Sequence, residues 1–394
     1  MAEPAPKIRV AKLVDYKPDG EPAPVKDQKA ARQFPCPSCA ARLDFDPSAK
    51  GLKCPYCGYE KTIEKSADAE IVERDYLEYL SREESKGKVI EGRSNEVRCT
   101  GCGANVLLED KVITERCPYC LTFLQNQPTV AKQMIPPESV LPFALDLRKA
   151  REAFEQWMKG LWFAPNGLSK LSSLGQLSGV YVPYWTYDAN TQTFYHGQRG
   201  DDYTDTEWYT ETMSDGSTRQ ASRTVVRTRW SSASGEVRHF FDDVLICASK
   251  SIRGDLIQVI RDWQLRKLEP FSPAYLSGFR TERYALGLKE GFAKSKEVME
   301  DEIVRLIRRD IGGDHQRIDD KQSRYSAITF KHILLPVWLA VYRYNGKTFQ
   351  ILVNGRTGTV AGDRPYSFWK IGAVIVAIIF AIIAVSLIIA KVKH

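Results

Sequence analysis

Two cysteine arrays decide the fold of this chain: Cys36-Pro37-Ser38-Cys39 with Cys54-Pro55-Tyr56-Cys57, and Cys99-Thr100-Gly101-Cys102 with Cys117-Pro118-Tyr119-Cys120. Each array reads Cys-x2-Cys-x14-Cys-x2-Cys, and the second repeats the first 63 residues later. A cysteine pair two residues apart bends the backbone into a knuckle that points both sulfurs at one metal ion, and the 14 intervening residues suffice for a hairpin. The arrays therefore predict two small zinc ribbons, over residues 34–63 and 96–126.

The chemistry of the ligands favours zinc. Four thiolates around one ion form a closed tetrahedral shell, which is typical of structural rather than catalytic zinc. We therefore expect two structural zinc ions per chain, although iron in a rubredoxin-like site, dithiol redox centres and disulfides are open alternatives. Glycines follow two of the knuckles (Gly58 and Gly103), where a positive φ is required, but Ala40 and Leu121 stand at the other two. The predicted metal ligands are Cys36, Cys39, Cys54, Cys57, Cys99, Cys102, Cys117 and Cys120.

An apolar run lies near the end of the sequence. Residues 371–390 carry no charge, and as a helix they would span about 30 Å, the thickness of a bilayer core. This run predicts a single transmembrane helix in contact with membrane lipid, within an anchor and short tail over residues 367–394. Thiolates are protected from oxidation in the cytosol, and residues 1–33 contain no apolar signal core. We therefore expect a single-pass membrane protein whose N-terminal body is cytoplasmic.

The rest of the chain divides by composition. Residues 1–33 are rich in proline and charge, which predicts a flexible leader. Residues 64–95 form a linker in which Val72, Tyr76, Tyr79 and Leu80 recur at helical spacing, so we expect an amphipathic helix over residues 67–84. Residues 127–366 mix helical and strand patterns. The predicted fold class is multidomain: two small four-cysteine zinc ribbons, an α+β body with antiparallel sheets, and one C-terminal transmembrane helix.

Within the body, two helices and a series of strands are predicted. Asp146 caps a helix that carries apolar residues on one side, and a second helix over about residues 288–311 ends at Gly312-Gly313. Residues 179–248 read as antiparallel hairpins with turns at residues 214–216 and 234–235. The segment at residues 334–338 echoes the segment at residues 181–185, which suggests a weak duplication and two related sheet lobes.

The charge distribution bears on nucleic-acid binding. The formal net charge is +7, but residues 34–60 hold three basic against three acidic side chains, and residues 96–125 hold three against four. The ribbons are therefore not basic. Arg223, Arg227 and Arg229 alternate along one strand face and provide the alternative hypothesis, a membrane-tethered nucleic-acid-binding protein, or a face for anionic lipid head groups.

Other candidate residues give weaker signals for chemistry. Cys247 and the scattered histidines read as ordinary strand or loop residues, and no catalytic residue is predicted. A hydrolytic enzyme is the least favoured reading, and its carboxylates would be Asp201, Asp202, Asp205, Glu207, Asp242 and Asp243. A nucleotide-driven motor requires a Gly-x4-Gly-Lys-Ser/Thr loop. The nearest stretch, Gly346-Lys347-Thr348, has Val341 where that loop needs its first glycine.

The paired ribbons, the segment Gly179 to Asp188, and Leu334-Leu335-Pro336-Val337-Trp338 together resemble a bacterial family of membrane-anchored tandem zinc-ribbon proteins. Members of this family are often labelled primosomal protein N-prime or helicase-like. The resemblance implies association with phage-shock-type and SPFH-type membrane proteins and a role in membrane stress.

These observations favour a non-enzymatic adaptor. We expect a membrane-anchored zinc-ribbon protein that recruits or scaffolds a cytosolic or membrane protein partner at a bacterial membrane.

Overall fold

The computed structural model describes residues 34–64, 71–85, 93–94, 96–107, 114–125, 129–130, 135–161, 177–214, 216–344, 347–363 and 367–392. The predicted leader at residues 1–33 lies outside these ranges. Ribbon 1 contains an antiparallel sheet of β1 (Asp44–Asp46), β2 (Gly51–Lys53) and β3 (Glu60–Thr62). Next come β4 (Arg74–Asp75), α1 (Tyr76–Ser85) and β5 (Arg93–Ser94). Ribbon 2 is built from two short hairpins, β6 (Glu96–Arg98) with β7 (Asn105–Leu107) and β8 (Thr114–Arg116) with β9 (Phe123–Gln125).

The remaining elements belong mostly to the body. In chain order they are β10 (Thr129–Val130), β11 (Ser139–Val140), α2 (Leu147–Lys159), β12 (Ser178–Thr212), β13 (Thr218–Cys247), α3 (Gly254–Val259), β14 (Glu269–Pro270), β15 (Arg280–Thr281), α4 (Leu288–Ile311), β16 (His315–Tyr344), β17 (Lys347–Asn354), β18 (Val360–Gly362) and α5 (Phe368–Val392). Two 3-10 helices, Leu265–Lys267 and Pro273–Leu276, lie between α3 and β15.

One large sheet dominates the body. Its central order is β13-β12-β16-β11-β14, and β4, β15, β17 and β18 complete nine strands among the described residues. Most neighbours are antiparallel, but β11 pairs with β16, and β15 with β12, in parallel. The prediction of an α+β body is therefore wrong, because the body is mostly β-sheet. The two echoing segments lie side by side in this sheet, with Tyr181 opposite Pro336 and Pro183 opposite Leu334.

The sheet strands are far longer than the predicted hairpins. The predicted turn at residues 214–216 joins β12 to β13, but residues 234–235 lie inside β13 and pair with Tyr195 and His196. Gly235 serves a different purpose there: a Cβ at this position would lie 2.8 Å from the Tyr195 hydroxyl and 2.9 Å from Asp310 of α4. The glycine admits a helix close to the sheet, so it does not mark a turn.

The helices of the body and the linker follow the sequence prediction closely, with one difference at the start of α1. Asp146 caps α2 by accepting from the backbone N–H of Lys149, as predicted, and α4 matches the predicted range and ends before Gly312. Phe292, Met299 and Ile303 of α4 are buried against β12 and β13. The linker helix α1 starts at Tyr76, later than predicted, because the two preceding residues pair with β16 as β4.

The C-terminal helix requires a second correction. Within the part of the chain that the structure describes, no helix is both long enough and apolar enough to cross a membrane. The predicted transmembrane helix over residues 371–390 is therefore not supported.

Candidate metal centres

The structure brings the eight predicted ligands together as two separate four-cysteine groups. In ribbon 1, the Cys36 and Cys57 sulfurs are 3.5 Å apart, as are those of Cys39 and Cys54. In ribbon 2, the sulfurs of Cys99 and Cys120 are 3.4 Å apart and those of Cys102 and Cys117 are 3.6 Å apart. Zinc–sulfur bonds of about 2.3 Å in a tetrahedron separate the sulfurs by about 3.8 Å. Both groups are thus compatible with one zinc ion each.

All four knuckles have the same backbone turn. The residue after each second sulfur donates its N–H to the carbonyl of the first cysteine, at 2.8 to 3.1 Å. These residues have a positive φ, including the two non-glycines, Ala40 at 58° and Leu121 at 64°. A non-glycine residue in this conformation costs about 1–2 kcal/mol. Ala40 and Leu121 therefore adopt the knuckle conformation although neither is the favoured glycine. A four-cysteine metal site requires this conformation at every knuckle.

The pKa shifts differ among the sulfurs of each group: burial raises the pKa of the Cys99 thiol, whereas one thiol in each ribbon is shifted strongly down. Hydrogen bonding to the backbone N–H of Cys57 is the largest influence on Cys54 and lowers the pKa of its thiol to about 6. In ribbon 2 the hydrogen bond with the Cys117 sulfur lowers the pKa of Cys102 to about 5. Since the thiolate is the form that binds metals, at least one sulfur in each group is prepared for coordination before metal arrives.

The two ribbons differ in how they meet the body. In ribbon 2, Gln350 donates from Nε2 to the Tyr119 carbonyl at 2.9 Å, and the N–H of Arg283 donates to the carbonyl of Asn105 at 3.2 Å. Tyr119, in the second knuckle, is only 1% exposed. It lies in one apolar cluster with Tyr184 and other residues of the sheet. Ribbon 2 is therefore seated on the body through its metal-binding end.

Ribbon 1 meets the body through its opposite end. The N–H of Phe45 donates to the carbonyl of Ser277 at 2.9 Å, and the Phe45 and Tyr275 rings meet edge to face at 5.3 Å. Tyr56 occupies the position equivalent to Tyr119, yet it is 83% exposed. Cys39 and Cys57 are exposed as well. The same Cys-Pro-Tyr-Cys knuckle is thus buried in one ribbon and open to solvent in the other.

A cleft lies beside the exposed knuckle. It encloses about 890 Å³ between ribbon 1, the start of α2 and the sheet, and its lining includes Tyr56, Phe279 and Trp338. The carboxylates at its edge already have partners: Asp44 accepts from Arg42, and Asp146 caps α2. Its lining also includes Lys53, whose ammonium lies 2.7 Å from Glu60, and Arg280. The cleft is continuous with the surface around the knuckle.

A buried carboxylate underlies ribbon 2, which sequence reasoning missed. Glu282 follows β15, and its Oε1 accepts from the Ser251 hydroxyl at 2.7 Å. Burial raises the pKa of Glu282 to about 6. Burial, and after it the neighbouring Glu282 carboxylate, raises the pKa of the Tyr119 phenol. Burial also raises the pKa of Cys247 to about 12, so this thiol is a poor nucleophile.

A third acidic group was noticed in the sequence only in part. Asp188, Asp242 and Asp243 place carboxylate oxygens within 4.8 Å of one another. The Lys331 ammonium lies 2.7 Å from Asp243 and 2.9 Å from Glu73, and Asp188 accepts from the N–H of Asp243 at 2.5 Å. Burial would lower the pKa of Lys331, but hydrogen bonds to Asp243 and Glu73 raise it above its ordinary value. The lysine therefore supplies the positive charge that a metal ion would otherwise bring.

The arginine face predicted for nucleic acid is compensated by acids. Arg223 lies 2.7 Å from Glu207, Arg227 lies 3.2 Å from Asp205, and the Arg229 guanidinium stacks over the Tyr203 ring at 5.1 Å. The acids occupy the facing strand: Glu207 lies directly opposite Arg223, whereas Asp205 lies one layer away from Arg227 on the same face. On this face, four arginines (Arg219, Arg223, Arg227 and Arg229) oppose four acids (Asp201, Asp205, Glu207 and Glu211), so the net charge is 4 − 4 = 0. Phosphate binding requires an excess of positive charge, which this face lacks.

Comparison with known proteins gives a distant relative. A Bacillus subtilis protein described as uncharacterized protein YdjG is 24% identical over 348 residues, which cover 86% of this chain and 92% of that protein. No family model matches the chain. No solved structure matches it either. The similarity to YdjG extends over most of both chains.

Proposed function

We propose that this protein is a non-enzymatic adaptor in which two structural zinc ions hold the ribbons and ribbon 1 presents its metal-binding knuckles to a protein partner. The observation that carries this proposal is the difference between two equivalent tyrosines. Tyr119 is 1% exposed and seated on the sheet, whereas Tyr56 is 83% exposed. The chain itself thus uses one Cys-Pro-Tyr-Cys knuckle as a docking element, and the second copy is free to dock elsewhere.

The chemistry of the knuckle supports recognition of protein. A tyrosine combines a large apolar ring with a polar tip, and such residues supply much of the energy of protein interfaces. The zinc ion would contribute by holding the knuckle rigid, since a preorganised surface loses less entropy on binding. The arginines on β13 are paired with acids, so the same structure gives no comparable support to nucleic-acid binding.

The test is site-specific photocrosslinking in the native cell. A benzophenone amino acid at position 56 should form an adduct with one discrete protein, while the same probe at position 61, exposed on β3 of the same ribbon, should not. The substitution Tyr56→Ala should weaken recovery of that protein without changing the zinc content of two ions per chain. Absence of a stoichiometric adduct at position 56, or equal adducts at both positions, would contradict the adaptor function.

A further inference from the structure

The hairpin of β12 and β13 extends beyond the sheet as a two-stranded arm. The partner strand β16 starts at His315, opposite Gly200, so residues 201–212 of β12 pair only with residues 218–229 of β13. We call these two segments the arm. Twelve residues per strand correspond to a projection of about 40 Å. An isolated two-stranded hairpin is marginally stable in water, so an arm of this length needs additional stabilisation.

One face of the arm is stabilised within the chain. The odd-numbered residues of both strands share this face, because each β12 residue and its β13 partner have numbers that sum to 430. Glu211 pairs with Arg219 at 2.9 Å and Glu207 with Arg223 at 2.7 Å, and the aromatic rings of Tyr203 and Tyr209 lie under arginines. The charged and aromatic side chains of this face, which we call the charged face, therefore contact one another within the arm.

The other face, which we call the open face, is formed by the even-numbered residues. Its strand positions carry one charge, Asp202, which already accepts from the Thr228 hydroxyl at 2.7 Å and lies 3.0 Å from the His315 ring nitrogen. Trp208 and Val226 are 67% and 68% exposed. The remaining positions are Thr204, Thr206, Thr210, Thr212, Thr218, Gln220, Ser222, Thr224 and Thr228. No other charged side chain lies at the twelve strand positions of this face.

The positions of the two apolar side chains are self-complementary. Trp208 lies in the layer opposite Ser222, and Val226 lies in the layer opposite Thr204. Each of these cross-strand pairs forms one layer of the open face. The Trp208/Ser222 layer and the Thr204/Val226 layer lie on opposite sides of the Thr206/Thr224 layer, each two residues, or about 7 Å, away from it. A two-fold axis through the Thr206/Thr224 layer therefore superimposes the Trp208 layer of one arm on the Val226 layer of another. Each tryptophan would then lie beside the valine of the second copy.

We propose that the open face is a homodimer interface, in which the arms of two copies pack face to face and antiparallel around a two-fold axis at Thr206. Such a contact is isologous, so it closes at two copies. Under this two-fold relation, residue 212 of one arm lies over residue 200 of the other. At residue 200, helix α4 covers only the opposite face of the sheet, so the open face is accessible there. The bodies therefore stand at opposite ends of the paired arms.

The area predicts a weak but measurable dimer. An arm about 40 Å long and about 10 Å wide covers about 400 Å² per copy, or about 800 Å² in total, which is below the roughly 1,200 Å² of stable interfaces and in the range of weak, transient ones. A central tryptophan is the residue type that most often dominates an interface of this size. We therefore expect reversible dimerisation with a dissociation constant on the order of micromolar.

Two neighbouring valines allow a matched test by sedimentation velocity of the full chain. Val226→Arg introduces a charge on the open face, and Val225→Arg introduces the same charge on the opposite face. We expect Val226→Arg to weaken dimerisation at least about tenfold and Val225→Arg to change it less than about twofold. A wild-type chain that stays monomeric at about 100 times the expected dissociation constant, or an equal response of the two variants, would overturn the proposal.

Photocrosslinking provides an independent reading that does not depend on the stability of the variants. A benzophenone amino acid at position 206 lies on the proposed axis and should crosslink to the arm of a second copy, whereas the probe at position 207 points to the charged face and should not. Association through the apolar helix α5 would yield crosslinks outside the arm and no difference between positions 206 and 207. That result would also overturn the proposal.

Discussion

The seating of ribbon 2 on the sheet leads to the most quantitative prediction. Tyr119 and Tyr56 occupy the same position in the same four-residue motif, so replacing each by alanine removes identical atoms. At Tyr119, which is buried beside Glu282 and the aromatic ring of Tyr184, the change should cost about 3–5 kcal/mol of the free energy of unfolding. At the exposed Tyr56 it should cost less than about 0.5 kcal/mol.

Urea denaturation followed by tryptophan fluorescence measures this difference. Trp263 is buried in the same cluster as Tyr119, with its ring 5.8 Å from that of Tyr184, so its emission reports on this part of the core. With a denaturant slope on the order of 3 kcal/mol/M, the Tyr119→Ala midpoint should fall by about 1–1.7 M. Hydrogen exchange at β7 and β15 should rise in parallel, because the carbonyl of Asn105 accepts from the N–H of Arg283 across this interface.

The control is the metal content of the two variants. Both should retain two zinc ions per chain, since neither change touches a sulfur. Equal midpoints for Tyr119→Ala and Tyr56→Ala, with both metals retained, would refute the conclusion that ribbon 2 is seated through its knuckle. A loss of zinc from Tyr119→Ala alone would show that the tyrosine supports the metal site rather than the interface.

Four further outcomes follow from the same contacts. A chelator should remove the ribbon 1 metal first, so Cys57→Ser should abolish the fast phase of zinc release and Cys120→Ser the slow phase. Burial lowers the pKa of His332 to about 4, so stability present above pH 6.5 should be lost as pH falls towards 4, by roughly 3 kcal/mol, and His332→Asn should lack this loss. Lys331→Met should destabilise by about 3–5 kcal/mol in a thermal melt, because Asp243 and Glu73 lose their ion-pair partner. Nucleic acid should show no salt-dependent shift that Arg227→Gln abolishes.

Each of these outcomes has a result that contradicts it. Simultaneous release of both metals would mean that exposure does not control zinc lability. A His332→Asn chain that loses as much stability as the wild type between pH 6.5 and 4 would assign the acid sensitivity to other groups. Unchanged melting of the Lys331→Met chain would mean that Asp243 and Glu73 do not depend on the ion pairs with Lys331. Tight binding of RNA or DNA that Arg227→Gln weakens would restore the nucleic-acid hypothesis.

Predictions from local sequence succeeded where the physics is local. The ligands of each four-cysteine group lie in knuckles whose geometry depends on a few neighbouring residues, and the structure brings together the four sulfurs that the spacing indicated. The N-cap of α2 at Asp146 and the end of α4 at Gly312 are local in the same sense. The sequence pattern predicts a turn at Gly235, which is wrong, because this glycine lies inside β13 and makes room for Asp310. The membrane-spanning helix was inferred from composition alone, and no described helix supports it.

The sequence by itself determined the two four-cysteine groups, because their chemistry is contained in short spacings that any fold must respect. Only the tertiary structure decided that Tyr119 is buried and Tyr56 exposed, since identical motifs differ here solely in the surface that each ribbon meets. It also decided that Arg223 faces Glu207 across two strands, a register that a separation of 16 residues along the chain does not reveal. Charge compensation and docking arise between residues distant in sequence, so the functional reading of the ribbons and of the arginine face depended on the fold.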